Sequence, residues 1–327
     1  MNGVAIRVRK TLKYLGITLD HKLSWDSHIE NTTKRTGLIF QTLAQGARRD
    51  WGLSPEALSA IYDGIFIPIV SDGCGTWRWA VSKVHPGRKL VSAQRRALLL
   101  ITKAYRTISN NSLQVIARKI PLDIEIIRKS KIQQFRWEKD IPIGDDIIES
   151  QRMEKPYPYF NTFPGVNDNF TTSNYTRINA NIEIYTDGSG IDRNVGCSYV
   201  AYVDRTEAHH QKFKLHPICT MFQAELLAIN NAIDWSNTTY TNMQISIFTD
   251  SLSALNIIHS CKLHPLVVDI RNKINTSTNN FQINWVRSHQ GTEGNERADA
   301  LAKEAALDPN NQYIYDKISQ GTLKHLL

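Results

Sequence analysis

Residues 182–189 read Ile-Glu-Ile-Tyr-Thr-Asp-Gly-Ser, and this stretch limits what the chain can fold into more than any other. Ile182, Ile184 and Thr186 alternate with Glu183, Tyr185 and Asp187, the period of a half-buried strand. Gly188 predicts that the strand runs into a turn, leaving Asp187 at its carboxyl end. A lone Asp-Gly is ordinary turn chemistry, so the constraint comes from four further motifs that succeed it along the chain. Glu225 stands in Gln-Ala-Glu-Leu-Leu-Ala-Ile, Asp250 in Ile-Phe-Thr-Asp-Ser, His289 in Ser-His-Gln-Gly, and Asp299 in Asn-Glu-Arg-Ala-Asp-Ala-Leu-Ala. Each falls at the start or end of an expected element.

Strand 182–187 is followed by the alternating run 196–203 and a third strand near 210–216, and such short connections make the three antiparallel neighbours. Thr220 and Gln223 have capping-box spacing and open a helix striped by Leu226, Ile229 and Ile233, with Glu225 in its second turn. A strand over 244–248 ends at Asp250, and a helix over 251–261 begins at once. A helix over 265–274, a strand over 281–286 and a helix carrying Ala298, Leu301, Ala302 and Ala305 complete the order βββαβααβα. That is an α/β domain on a five-stranded mixed sheet. Tyr199, Phe248 and Trp285 read as core aromatics, whereas His209, His210, His216, His259 and His264 have no motif around them.

Charge is unevenly spread. Residues 1–150 hold 24 Lys and Arg against 14 Asp and Glu, and residues 178–308 hold 10 against 14. A basic N-terminal half suits a polyanion such as nucleic acid, although an ordinary basic surface gives the same count. That half reads as mainly helical: a hairpin over 12–25, then helices over 26–48, from Ser54-Pro55-Glu56 onward, over 89–106 and over 123–139. Gly144-Asp145-Asp146 reads as a solvated turn, 150–178 as a Pro- and Asn-rich linker, and 309–327 as a tail. Cys74, Cys197, Cys219 and Cys261 are far apart with no CxxC spacing, which argues against zinc or a disulfide framework and for a reducing, intracellular setting. The N-terminus has no apolar leader, and no apolar run reaches the roughly 18 residues of a membrane span. No nuclear import run chooses between nucleus and cytoplasm.

Residues 1–120 resemble the end of the reverse transcriptase of non-LTR (LINE-type) retrotransposons, from the last palm segment through the thumb. The residues that carry the likeness are Lys13-Tyr-Leu-Gly-Ile-Thr-Leu-Asp, Leu23-Ser-Trp with His28-Ile29, and the run from Gln94-Arg-Arg to Tyr105-Arg-Thr. It departs at Ile69-Val-Ser-Asp-Gly-Cys, where such elements more often have Tyr before the small residues. Fingers and most of the palm are missing, so polymerisation is not expected. Residues 121–177 would be a helical connection and linker.

Residues 178–308 resemble type 1 ribonuclease H, in motif set and in element order. Integrases share that fold but lack the Ser-His-Gln-Gly loop. The resemblance implies hydrolysis of the RNA strand of RNA/DNA hybrids with two Mg²⁺ about 4 Å apart, for which Mn²⁺ can substitute. Mg²⁺ takes hard oxygen ligands, which accounts for carboxylates rather than thiols. By resemblance Asp187 bridges both ions, Glu225 and Asp250 hold the leaving-group side, Asp299 holds the nucleophile side, and His289 assists proton transfer or product release. Gly188 and Ser189 would admit the RNA backbone and its 2′-hydroxyl. Ser251 would cap a helix or touch substrate. The domain is acidic, and residues 262–280 hold only Lys262, Arg271 and Lys273 as cations. Phosphate contacts are therefore expected from the basic half, with Arg95, Arg96, Lys103 and Arg106 as candidates. No small-molecule cofactor is called for, and oligomeric state is not encoded in any motif. A folded but inactive nucleic-acid-binding remnant is the alternative.

Overall fold

A computed structural model describes residues 9–46, 52–144, 146–155, 170–173, 180, 182–260, 263–288 and 290–327. The chain divides into two compact units, residues 1–150 and residues 151–326.

In the first unit, strands Thr11–Tyr14 and Ile17–Asp20 pair antiparallel around Leu15 and Gly16, both at positive φ, as a two-residue hairpin turn requires. The Asp20 carboxylate then accepts from the amides of Lys22, Ser24 and Trp25, which turns the chain into helix Asp26–Gly46. Ser54 caps helix Pro55–Ile61 by accepting from the Ala57 amide. The expected helix over 89–106 starts earlier and stops at Thr102, because Lys103 adopts a left-handed conformation and closes it. Trp77, Tyr62, Phe66, Leu58 and Leu98 fill the core between these helices and helix Leu122–Arg136. The Ile-rich flanks of Gly144 form a small hairpin, Ile141–Ile143 with Asp146–Ile148; Asp145 lies outside the described residues and Asp146 is exposed. No single helix among the described residues is long and apolar enough to cross a membrane.

The second unit is an α/β domain on a mixed sheet. The long strand Ile182–Ile191 lies at its centre, antiparallel to Asn194–Val203 and parallel to Gln244–Thr249. Thr206–Leu215 continues the antiparallel side, and Asn280–Trp285 the parallel side. The two hairpin turns, Asp192-Arg193 and Asp204-Arg205, all have positive φ, the twist-matched geometry for two-residue loops. All five expected strands are present, and two more flank them. Phe170–Ser173, inside the expected linker, runs parallel to Asn280–Trp285, and Tyr313–Tyr315, in the expected tail, runs parallel to Thr206–Leu215. Composition conceals both strands, because each is short and is completed by backbone pairing with a distant partner.

Alternation puts Ile182 and Ile184 against helices Met221–Thr239 and Pro265–Asn275, in a core with Leu226, Ile229 and Ile270. Tyr185, Val200 and Phe248 meet Ala298 and Leu301 of helix Glu293–Leu307. That last helix sits close on the sheet. A Cβ on Gly196 would lie 2.5 Å from the Ala302 carbonyl oxygen and from the Ala306 amide nitrogen. Ser198 Oγ donates to the Ala298 carbonyl at 2.6 Å.

Candidate active site

The expected turn at Gly188 is absent. The central strand continues to Ile191, because Gly188, Ser189 and Gly190 keep antiparallel partners in Cys197, Gly196 and Val195. What ends near Asp187 is the parallel pairing, whose last pair is Thr186 with Thr249. The next residue on each chain is a carboxylate, Asp187 on one and Asp250 on the other. Register therefore sets the two acids side by side at the carboxyl edge of the parallel strands, where α/β sheets commonly hold ligands. Helix Leu252–His259 begins just past Asp250, capped by Ser251, whose Oγ accepts from the Ala254 amide at 3.3 Å. Trp285, read from sequence as a core aromatic, is only partly buried, and its indole N–H donates to the Asp250 carbonyl at 3.2 Å.

Glu225 comes from the third direction. Thr220 and Gln223 form the expected capping box at the start of its helix, with both reciprocal hydrogen bonds made. Gly188 lets that helix come close: a Cβ there would meet the Glu225 amide nitrogen at 2.8 Å and Ala224 Cβ at 3.0 Å. The glycine is thus required by the helix packed on it. One carboxylate oxygen from each of Asp187, Glu225 and Asp250 lies within 4.8 Å of the others.

Three acids gathered this way oppose one another's ionisation. Burial first, then the charges of Asp250 and Asp299, push Asp187 up to about 8. Burial, then Asp187 and Asp250, raise Glu225 well above the usual carboxylate range, with the Gly188 amide offsetting part of this. Glu225 Oε2 is buried with no hydrogen-bond partner. A buried, unpaired carboxylate oxygen facing two more carboxylates is costly unless a cation completes it. The donor set is all hard oxygen, which fits a divalent ion such as Mg²⁺.

Asp299 stands on the helix across the sheet, close enough to raise Asp187 but outside the three-carboxylate group. Lys303, one turn on, donates to Asp299 Oδ2 at 2.6 Å and also lowers Asp187 through its charge. Sequence reasoning passed over Lys303, although its i,i+4 spacing from Asp299 was a legible sign. His289 lies outside the described residues. Gly188 and Ser189 are both buried, Ser189 at 6% exposure.

In the first unit, Arg95 is tied down, donating to Asn110 Oδ1 at 2.7 Å and to the Arg106 carbonyl at 2.6 Å. Arg96, Lys103 and Arg106 are exposed.

The RNase H family model matches residues 179–307. A putative 115 kDa protein in type-1 retrotransposable element R1DM of Drosophila melanogaster is 36% identical over 115 residues, covering 35% of this chain and 11% of that protein. The chain therefore spans only a small part of that relative's length. A ribonuclease H of Campylobacter jejuni subsp. jejuni is 32% identical over 137 residues, covering 38% of this chain and 91% of that protein. Among solved structures, RNase H1 from the halophilic archaeon Halobacterium salinarum aligns at a TM-score of 0.33 and 22% identity, covering 38% of this chain and 96% of that one.

Proposed function

Because this chain belongs to the ribonuclease H family and is homologous to type-1 retrotransposon polypeptides, we propose that it is an endonuclease of the type 1 class, cutting the RNA strand of RNA/DNA hybrids. The observation that carries the reading is the convergence of Asp187, Glu225 and Asp250 with one buried oxygen left unpaired. Asp187, Glu225, Asp250 and Asp299 would hold two Mg²⁺, or Mn²⁺ in their place. Bound there, the ions supply an activated water and neutralise charge that develops on the phosphate. The chain's own part is placement. The central strand fixes Asp187, the capped helix fixes Glu225, and Trp285 and Ser251 fix the backbone just past the Asp250 side chain. Lys303 keeps Asp299 in place and offsets its charge. His289 takes or gives a proton, or aids product release. Within a retroelement the task would be removal of template RNA after first-strand synthesis, inside the cell, with phosphate contacts from Arg96, Lys103 and Arg106.

The test is cleavage of a labelled RNA/DNA hybrid in Mg²⁺, comparing the wild type with Asp250→Asn, with duplex RNA and duplex DNA as controls. Cutting of the hybrid alone, lost in the variant, is the expected result. Binding without cutting at any Mg²⁺ or Mn²⁺ concentration would leave an inactive nucleic-acid-binding remnant instead.

A further inference from the structure

Glu154 lies in the segment whose composition reads as linker, and outside the residues matched by the family. It is nevertheless buried, at 8% exposure. Three elements converge on its carboxylate. Gln223 Nε2 donates to Oε1 at 3.1 Å, the Tyr315 hydroxyl donates to the same oxygen at 2.7 Å, and His264 Nε2 lies 3.2 Å from Oε2. The backbone is held as well: the Glu154 amide donates to the Ile318 carbonyl at 2.9 Å, and Met153 bridges to Ile318.

Gln223 is the capping-box residue of the helix that carries Glu225, two positions before it. Its amide has one orientation that satisfies every neighbour. The NH₂ faces two acceptors, Glu154 and the Lys317 carbonyl, so the oxygen is left to accept from the Thr220 amide at 2.8 Å. On its other side, the same first turn and a half rests on Gly188 without room for one extra carbon. The start of the helix is therefore pinned between the Gly188 peptide and the Glu154 junction.

We propose that Glu154 is a positioning residue of the acidic site, holding the Glu225 helix start at the height where its carboxylate meets Asp187 and Asp250. The proposal rests on the reading of those three acids as a cation site. It makes residues 151–155 and the segment around Tyr315 working parts of the site.

The experiment is Mn²⁺ binding by calorimetry on the full chain, with melting temperature recorded in parallel, for wild type, Asp250→Asn, Glu154→Ala, Glu154→Gln and Tyr315→Phe. Loss of an outer partner typically weakens metal binding 10- to 100-fold, and Glu154 reaches the acids only through Gln223 and the helix start, which places it at the low end, about 10-fold for Glu154→Ala. Glu154→Gln keeps an oxygen for Gln223 and Tyr315 and is expected to stay within about threefold of wild type. A folded Glu154→Ala that binds Mn²⁺ within about threefold of wild type overturns the proposal whatever its melting temperature, because a purely structural role moves only the latter. Should Glu154→Ala fail to fold, Tyr315→Phe decides: weakening of about threefold supports the proposal, and unchanged affinity overturns it. If wild type and Asp250→Asn bind alike, the cation reading itself fails and takes this proposal with it.

Discussion

Replacing Asp187 by Asn should make the metal-free protein more stable, not less. Asp187 is 5% exposed, and its carboxyl is pushed up to about 8, against an ordinary value of 3.8. The folded site therefore keeps a proton that the unfolded chain releases. The contribution of Asp187 to stability is greatest below about pH 4, falls as pH rises towards about 8 and then levels off. At pH 7 the gap of roughly three pH units corresponds to about 4 kcal/mol lost. That is an upper figure, because Glu225 shares the same proton balance. An amide removes the charge that must be neutralised. For a unit of this size, each kcal/mol moves the melting temperature by about 2–4 °C. Asp187→Asn should therefore melt up to roughly 8–16 °C higher at pH 7 in chelator. The assay is thermal unfolding followed by circular dichroism in EDTA, from pH 4 to pH 8, for both proteins. The gap should be near zero at the acid end and widen with pH. Adding Mg²⁺ should raise the wild type and leave the variant unmoved. A variant no more stable than wild type at pH 7 to 8 in EDTA, or a gap that ignores pH, would refute the electrostatic reasoning.

Gly188→Ala should displace the Glu225 helix, since the added carbon meets backbone at 2.8 Å. Overpacking of this kind costs about 1–3 kcal/mol, and both the urea midpoint and Mn²⁺ affinity should fall together. Thr220→Ala removes the cap at the start of that helix and should cost about 1 kcal/mol by chemical denaturation, with hybrid cleavage reduced less than by any carboxylate change. In the first unit, Arg96→Glu should weaken hybrid binding and flatten its salt dependence by about one unit of slope or more. Arg95→Ala should instead lower the stability of that unit, because Arg95 already serves Asn110 and the Arg106 backbone. Equal effects of the two on the salt slope would contradict that division.

Much of the site was legible because its chemistry is local. Asp187 follows a run of alternating residues, Asp250 another, and Glu225 follows a capping box, so each acid could be placed on its element without a partner in view. The error at Gly188 has a physical cause. Glycine marks either a turn or a close approach, and only the register with Cys197 and the contact with Glu225 choose the second. The extent of the domain was misjudged for a related reason. Glu154 and Tyr315 sit in polar stretches with no periodicity, and their role appears only when chain segments 161 residues apart hydrogen-bond to each other.

The sequence by itself determined the order of the five central strands and their helices, the identity of the acids and the uneven charge of the two halves, since propensity, period and capping act over a few residues. Tertiary structure alone decided that three carboxylates share a space under 5 Å across, that one of their oxygens has no partner, and that Lys303 leans on Asp299 while Arg95 is already engaged. Those outcomes depend on strand register and on how closely a helix can lie against a sheet. Both are set by contacts between residues far apart in the chain.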